Sequence, residues 1–358
     1  MKTFSSIDFE LESGEHLPRL ELAYRTYGAL NAAADNVVWI CHALTGNAEA
    51  AEWWGTLVGP GKLLDPARYF IVCANALGSC YGSTGPASTD PRTGQPYGPD
   101  FPAITTRDMA RAYDRLRRHL RLERLYLLIG GSMGGQQALE WSIDCPEWID
   151  HLVLIACNAR HSAWGVAFNA TQRMVLEADP AFGEPAAEIS DGLAGARAVA
   201  MLSYRSYETY EATQTDEREQ QRPSLLAEGY QRYQGRKFRR RFDPYCYHTL
   251  SRAMDAHHVG RDRGGVAAAL GRVRARTLVV GIHSDVLFPV GEQVFLAARI
   301  PQARLEVVDS LYGHDGFLVE IDNLTEKIAA FLQDRPSRTV ARRSRASILS
   351  GLPGSEVF

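Results

Sequence analysis

The stretch Arg124–Trp141, RLYLLIGGSMGGQQALEW, has the pattern of a buried strand, a glycine-rich turn and a helix. Its centre, Gly130-Gly131-Ser132-Met133-Gly134, places a serine between glycines two residues away on either side. A serine on such a turn has a strained backbone, and its neighbours must lack side chains so that strand and helix can approach closely. This context predicts that Ser132 is a nucleophile; the alternative is an ordinary glycine-rich turn.

A nucleophilic serine needs a base and an acid that orients the base. Asp285 follows the predicted strand Thr277–Gly281, and His314 follows the predicted strand Leu305–Asp309. In an α/β-hydrolase fold the order is serine, acid, histidine, and sites assemble at strand ends. The sequence therefore predicts this fold, with Ser132, Asp285 and His314 as its catalytic triad. The other candidates are interpreted as structural: Asp309, His283, His151 and His119.

The negative charge that develops on a substrate oxygen needs two backbone N–H donors, one of them normally from the loop after an early strand. The segment VVWICHALTGNAE provides such a loop after the predicted strand Val37–His42. The predicted donors are the N–H groups of Leu44 and Met133, and His42 is interpreted as a structural hydrogen-bonding residue.

Short β-branched runs alternate with helical patterns, which predicts a mostly parallel sheet flanked by helices. Besides the three strands above, the predicted strands are Leu20–Tyr27, Tyr69–Ala74, Leu125–Gly130 and His151–Ala156, and the predicted helices are Arg107–Leu120, Gln136–Ile143, Ala163–Glu177 and Arg252–Val259. The strand signal is missing from 158–271. We expect a hydrolase core in 1–157 and 272–334, a helical lid insert in 158–271, and a flexible basic tail in 335–358.

The bulk composition narrows the function classes. The chain has 358 residues and a formal charge of −3, which argues against a nucleic-acid partner. It contains no secretory signal pattern and no apolar run of the ~18 residues that suggest a membrane span. The six cysteines lack metal-ligand spacing, so we expect reduced thiols, no metal site and a cytoplasmic location. No nucleotide-binding fingerprint is present.

The chain resembles the homoserine O-acyltransferase (homoserine O-acetyltransferase) family over nearly its whole length, to about residue 333. The matching motifs are AYRTYGALNA (Ala23–Ala32), CHALTGNA (Cys41–Ala48), NALGSCYGSTGPAS (Asn75–Ser88), GGSMGGQQALEW (Gly130–Trp141), ARHSAWGVAFNATQR (Ala159–Arg173), YQGRKFRRRFD (Tyr233–Asp243), YHTLSRAMD (Tyr247–Asp255), SDVLFP (Ser284–Pro289) and YGHDGFL (Tyr312–Leu318). Motifs of this length in this order are specific.

The resemblance implies a homodimer built through the helical insert and an enzyme without a permanently bound cofactor. It implies acetyl transfer from acetyl-CoA to the hydroxyl of L-homoserine, by a ping-pong route through an acyl-serine, in methionine biosynthesis. It also implies that Arg197 binds the substrate carboxylate and Asp315 the ammonium group. Two departures bear on substrate preference: Tyr81 stands where relatives often have arginine, and the insert looks abbreviated around Phe182–Leu193.

Three alternatives remain open. Within the family, succinyl-CoA could be the donor and L-serine the acceptor. Within the fold, the same triad would serve an esterase, with water as the acceptor. A non-catalytic binding protein is a third class, although such proteins typically lose a member of the triad.

Overall fold

The structure is a computed structural model, and it describes residues 1–183, 191–216 and 226–334. In these ranges eight strands form one sheet: β1 (Lys2–Glu10), β2 (His16–Tyr27), β3 (Val37–Cys41), β4 (Phe70–Ala74), β5 (Leu125–Gly131), β6 (Ile149–Ile155), β7 (Arg276–Ile282) and β8 (Ala303–Val308). Their spatial order is β1-β2-β4-β3-β5-β6-β7-β8. β1 and β2 pair antiparallel, as do β2 and β4, and every later pair is parallel. The predicted fold class is confirmed.

The α-helices of the described residues are α1 (Ala50–Trp53), α2 (Thr106–His119), α3 (Met133–Asp144), α4 (Ala163–Glu177), α5 (Asp191–Tyr204), α6 (Tyr207–Gln214), α7 (Leu226–Arg239), α8 (Pro244–Asp255), α9 (Val266–Leu270), α10 (Val290–Arg299), α11 (Gly316–Val319) and α12 (Ile321–Gln333). Short 3₁₀ turns occupy Gly98–Asp100, Pro146–Trp148 and Gly313–Asp315. None of these helices is long and apolar enough to cross a membrane.

The strand β3 shows how the sheet is covered on both faces. Its five residues are all buried, and alternate side chains enter different cores because successive side chains point to opposite faces. Val37 and Trp39 belong to the core that contains residues of α2 and α3, whereas Val38 and Ile40 belong to the core that contains residues of α12. A strand buried on both faces reads as a continuous apolar run, and this made the central strands predictable.

The edge strand β1 was missed by the sequence analysis. Most of its side chains are exposed, and only Phe4 and Phe9 are buried. In a regular strand, side chains five residues apart point to opposite faces. Phe4 and Phe9 are nevertheless both buried, because the positive φ of Asp8, 54°, interrupts the alternation between them. β1 therefore carries no readable hydrophobic pattern, and its position depends on pairing with β2.

Two helix boundaries also differ from prediction. α3 begins at Met133 rather than Gln136, directly after the serine turn. The predicted helix Arg252–Val259 is correct only for Arg252–Asp255, the end of α8, which runs from Pro244 to Asp255. Its start is fixed by Asp243, whose side chain accepts a hydrogen bond from the N–H of Cys246, with proline at the first helical position.

Helices α4–α9 lie between β6 and β7, and the described residues of that segment contain no strand. The segment coincides with the predicted insert, whose boundaries as a separate lid domain stay a prediction. The predicted flexible tail, 335–358, lies outside the described residues, as does most of the stretch around Phe182–Leu193.

Buried ion pairs connect the nucleophile helix α3 to the chain that leaves the insert. Arg263 Nη1 lies 2.6 Å from Glu140 Oε2, and Arg263 Nη2 lies 2.6 Å from Asp144 Oδ1. Arg107, on α2, contacts the same oxygen of Glu140 and also pairs with Glu12. Such pairs fix how elements dock, because breaking one leaves an uncompensated charge in the interior.

We expect Arg263→Met to lower the free energy of unfolding by about 3 kcal/mol, the low end of the cost of breaking a buried pair, because Glu140 would keep only its longer contact with Arg107. Urea denaturation followed by circular dichroism measures this change. The control is Arg274→Ala, which breaks the exposed pair with Glu147 and should cost less than about 1 kcal/mol. Equal losses in the two variants would contradict a special role for the buried pairs.

Candidate active site

Ser132 lies between the end of β5 and the start of α3, in a strained conformation with φ 56° and ψ −127°. A residue other than glycine rarely adopts positive φ, and such strain persists only where the surroundings enforce it. A Cβ on Gly134 would lie 2.1 Å from the carbonyl oxygen of Cys41, and a Cβ on Gly130 would lie 2.2 Å from that of Gly134. Only glycine fits at both positions, which explains the pattern read in the sequence.

The three predicted triad residues meet at the carboxyl ends of β5, β7 and β8. His314 Nε2 lies 2.9 Å from Ser132 Oγ, and His314 Nδ1 lies 2.7 Å from Asp285 Oδ2. The other carboxylate oxygen of Asp285 accepts hydrogen bonds of 2.8 Å from the backbone N–H groups of Leu287 and Phe288. All three triad side chains are buried. This arrangement allows Asp285 to orient the imidazole so that its second nitrogen faces the serine.

The loop that carries His314 is held from outside by the insert. The hydroxyls of Ser206 and Thr209, at the start of α6, both donate to the carbonyl oxygen of Leu311. Gly313 has a φ of 63°, and a Cβ there would lie 2.8 Å from the backbone nitrogen of Ser206. The insert therefore packs directly on the histidine loop.

The surroundings of His314 favour its protonated form. Burial lowers the pKa of His314, but the charge of Asp285, the hydrogen bond to Asp285 and the charge of Asp315 together raise that pKa above its ordinary value. A raised pKa makes the imidazole a stronger base while it is neutral. The ring of Phe288 stacks at 5.1 Å from that of His314 and covers one face.

The predicted oxyanion donors lie on the two elements that meet at Gly134. Met133 is the first residue of α3, where the backbone N–H has no intrahelical partner. Leu44 lies in a tight turn after β3, closed by a 2.9 Å hydrogen bond from the N–H of Gly46 to the carbonyl oxygen of Ala43. Both residues are buried.

The other histidines that the sequence analysis considered lie in different environments. His42 Nε2 accepts a hydrogen bond from the N–H of Ala76, and burial lowers the pKa of His42 to about 4, so that it is a neutral structural group. His151 contacts the carbonyl oxygen of Tyr126, His119 packs on Phe4, and His283 is exposed.

A cavity of about 730 Å³ lies beside the triad, between the turn after β3 and the insert. Arg197 and Asp315 both line it. The guanidinium carbon of Arg197 is 5.1 Å from the ring centres of Tyr204 and Phe238, and its Nη1 atom is buried. No described residue accepts a hydrogen bond from that atom. The cavity is thus lined by a guanidinium group with an unsatisfied donor and by a carboxylate.

Asp315 has a partner that the sequence analysis missed. Arg205 Nε lies 2.9 Å from Asp315 Oδ2. Burial raises the pKa of Asp315 above its ordinary value, although the charges of Arg205, Arg197 and His314 oppose this rise. Arg205 directly follows α5 in the sequence, but only the packing of α5 on the histidine loop brings it to Asp315.

Among residues 1–183, 191–216 and 226–334, no three His, Cys, Asp or Glu side chains are grouped so that they could hold a metal ion.

The sheet order, the strained serine after β5 and the hydrogen-bonded Ser-His-Asp arrangement define a protein of the α/β-hydrolase class. A family model described as the alpha/beta hydrolase fold matches residues 36–321. The chain is 46% identical over 322 residues to a homoserine O-acetyltransferase of Cyclobacterium marinum, in an alignment that covers 90% of this chain and 92% of that protein. The chain belongs to the homoserine O-acetyltransferase family.

Solved structures with this architecture include both transferases and hydrolases. A homoserine O-acetyltransferase from Staphylococcus aureus is 29% identical with a TM-score of 0.78, covering 93% of this chain and 95% of its own. An acetylester hydrolase from Corynebacterium glutamicum is also 29% identical, with a TM-score of 0.82 and coverages of 93% and 96%. The fold is thus compatible with more than one acyl acceptor.

We expect Asp315→Asn to shift the acid limb of acyl-enzyme formation to lower pH. His314 must be neutral to accept the serine proton, so the rate falls as pH drops through the pKa of His314. The charge of Asp315 raises that pKa, and its removal lowers it. The burst of p-nitrophenol from p-nitrophenyl acetate, followed against pH, measures the limb. Asp309→Asn, an exposed carboxylate after β8, is the control; an unmoved limb in Asp315→Asn would refute the coupling.

Proposed function

We propose that this protein is an acyl-CoA-dependent O-acyltransferase that transfers an acetyl group to the side-chain hydroxyl of L-homoserine, a step of methionine biosynthesis. The observation that carries the proposal is the cavity lined by both Arg197 and Asp315, the residue after His314. Arg197 Nη1 has no acceptor among the described residues, and a guanidinium and a carboxylate match the two charged groups of an amino acid. The relatives named homoserine O-acetyltransferase support the same activity.

In the first half of the proposed reaction, Ser132 Oγ gives its proton to His314 Nε2 and attacks the thioester carbonyl. The N–H groups of Leu44 and Met133 stabilise the charge on the carbonyl oxygen. The carbon–sulfur bond then breaks, and His314 returns the proton to the departing thiolate. Coenzyme A leaves as the thiol, and the acetyl group remains on Ser132.

In the second half, the hydroxyl of homoserine takes the place of coenzyme A. The hydroxyl proton passes to His314 Nε2 as the homoserine oxygen attacks the acetyl carbon. The bond between the acetyl carbon and Ser132 Oγ then breaks, and Ser132 Oγ takes the proton from His314. Arg197 binds the carboxylate, since a guanidinium is suited to bidentate contacts with it. Asp315 binds the ammonium group while it remains ion-paired with Arg205.

The acyl donor is assigned from the named relatives. Tyr81, which stands where relatives often have arginine, lines the same cavity. We propose acetyl-CoA on the strength of the named relatives, with succinyl-CoA and L-serine as alternatives within the family. Ester hydrolysis is the second candidate function, favoured by the similarity to the acetylester hydrolase.

We further propose that the enzyme is a cytoplasmic homodimer assembled through the helical insert. Large apolar side chains on the insert helices are more than half exposed: Trp164, Met174, Leu202, Tyr207 and Tyr233. Apolar side chains left in water on one part of a surface favour burial against a partner. A second copy of the chain would cover them.

The direct test is coenzyme A release from acetyl-CoA or succinyl-CoA, each with L-homoserine, L-serine or no acceptor. We expect release that requires acetyl-CoA and L-homoserine, and at least a ~10⁴-fold loss in Ser132→Ala, because no other group would form the acyl-enzyme. Release without any acceptor, accompanied by ester cleavage, would instead identify a hydrolase. Dependence on another donor or acceptor would change the substrate and leave the reaction class intact.

We expect Arg197→Ala to raise the KM for L-homoserine about tenfold or more, because a charged hydrogen bond to a carboxylate contributes about 1.5–3 kcal/mol. The burst with p-nitrophenyl acetate, which lacks a carboxylate, should be nearly unchanged. Arg236→Ala, an exposed arginine on α7, is the matched control. An unchanged KM would remove Arg197 from the acceptor site.

A further inference from the structure

Two loops beside the triad form a single platform. One is the turn after β3, Ala43–Gly46, and the other follows β4. The N–H of Ala76 donates to His42 Nε2 at 2.9 Å. Asn75 accepts a hydrogen bond from the N–H of Ala48 at 2.7 Å and donates to the carbonyl oxygen of Tyr81 at 2.7 Å. Both cross-linking side chains, His42 and Asn75, are fully buried.

The first residue of the turn, Ala43, is held by hydrogen bonds to its carbonyl oxygen. The carbonyl oxygen of Ala43 accepts the 2.9 Å hydrogen bond from Gly46 that closes the turn, and it lies 2.8 Å from His42 Nδ1. Leu44 and Thr45 are the central residues of the turn, and the N–H of Leu44 is the proposed oxyanion donor. The Ala43 carbonyl belongs to the peptide that carries the N–H of Leu44, and the Thr45 carbonyl belongs to the peptide whose N–H, that of Gly46, closes the turn. His42 contacts only the first of these peptides, so a contact that holds the second also acts on the N–H of Leu44.

The carbonyl group of Thr45 is held by the insert. Arg241, in the connection between α7 and α8, donates from Nη1 to the carbonyl oxygen of Thr45 at 2.9 Å. The same nitrogen lies 2.8 Å from the hydroxyl oxygen of Tyr81, on the second loop of the platform. The guanidinium is also 5.2 Å from the ring of Phe238, which restricts its position. One insert side chain therefore joins both loops.

We propose that Arg241 is a positioning residue for acyl transfer: it fixes the turn that presents the N–H of Leu44, and so makes the oxyanion site depend on the docked insert. The inference rests on the proposed function, because it takes Leu44 as the oxyanion donor. Oxyanion stabilisation depends on donors placed before the charge develops, and removal of one donor typically costs about 10²–10³ in kcat. A donor that is displaced rather than removed costs less.

The test is the pre-steady-state burst of p-nitrophenol from p-nitrophenyl acetate, expressed per site labelled to completion by a fluorophosphonate, so that unfolded protein does not count. We expect Arg241→Ala to lower the acylation rate constant about tenfold or more, with little change in the apparent affinity for the ester. Arg241→Lys should recover part of the rate, since an ammonium group can still donate to Thr45. Tyr81→Phe, which leaves the contact with Thr45 intact, should lose less than Arg241→Ala.

The matched control is Arg240→Ala, which removes the same charge from the neighbouring residue, exposed like Arg241, and should stay within about twofold of the unmodified enzyme. A normal acylation rate in Arg241→Ala, or an equal loss in Arg240→Ala, would overturn the proposal. So would a normal burst combined with a raised KM for acetyl-CoA, which would make Arg241 a donor-binding residue. The absence of a Ser132-dependent burst in the unmodified enzyme would instead refute the proposed function itself.

Discussion

The close approach of α3 to the strands β3 and β5 is the constraint on which the rest of the site depends. At Gly134 the backbone of α3 passes so near the carbonyl oxygen of Cys41 that no side chain fits between them. This contact forces Ser132 into positive φ and brings the turn after β3 to the amino end of α3. The proposed nucleophile and both proposed oxyanion donors therefore meet at one packing contact.

The insert does more than cover the sheet. Ser206 and Thr209 hold the carbonyl oxygen of Leu311 in the histidine loop, while Arg241 holds that of Thr45 in the turn after β3. The two ends of the proposed reaction centre are thus both held by hydrogen bonds from helices outside the sheet. This arrangement gives a physical reason for the insert to affect chemistry as well as access.

In the proposed reaction, the charged groups at the site divide between catalysis and recognition. Asp285 is saturated by His314 and two backbone N–H groups, and so serves the imidazole alone. Asp315 faces the cavity and is balanced by Arg205, while Arg197 retains a donor that no described residue accepts. A buried donor without an acceptor is costly, and such a group is a reasonable binding site for a ligand carboxylate.

Much of this protein could be predicted from the sequence because its signals are local. The strand, glycine turn and helix around Ser132 form a contiguous pattern, and the central strands are continuous apolar runs. The residues after β7 and β8 gave Asp285 and His314 by chain order. The resemblance to a family supplied Arg197 and Asp315, which no local pattern would have identified.

Only the tertiary structure decided the remainder, because it depends on contacts between distant segments. β1 lacks an apolar period and is a strand only through pairing with β2. Arg205 meets Asp315 across 110 positions, and Arg241 meets Thr45 across 196, so no local signal could reveal either contact. The sequence by itself thus determined the fold and the turn that carries the predicted nucleophile, whereas the partners of the charged groups were determined by how the insert docks on the sheet.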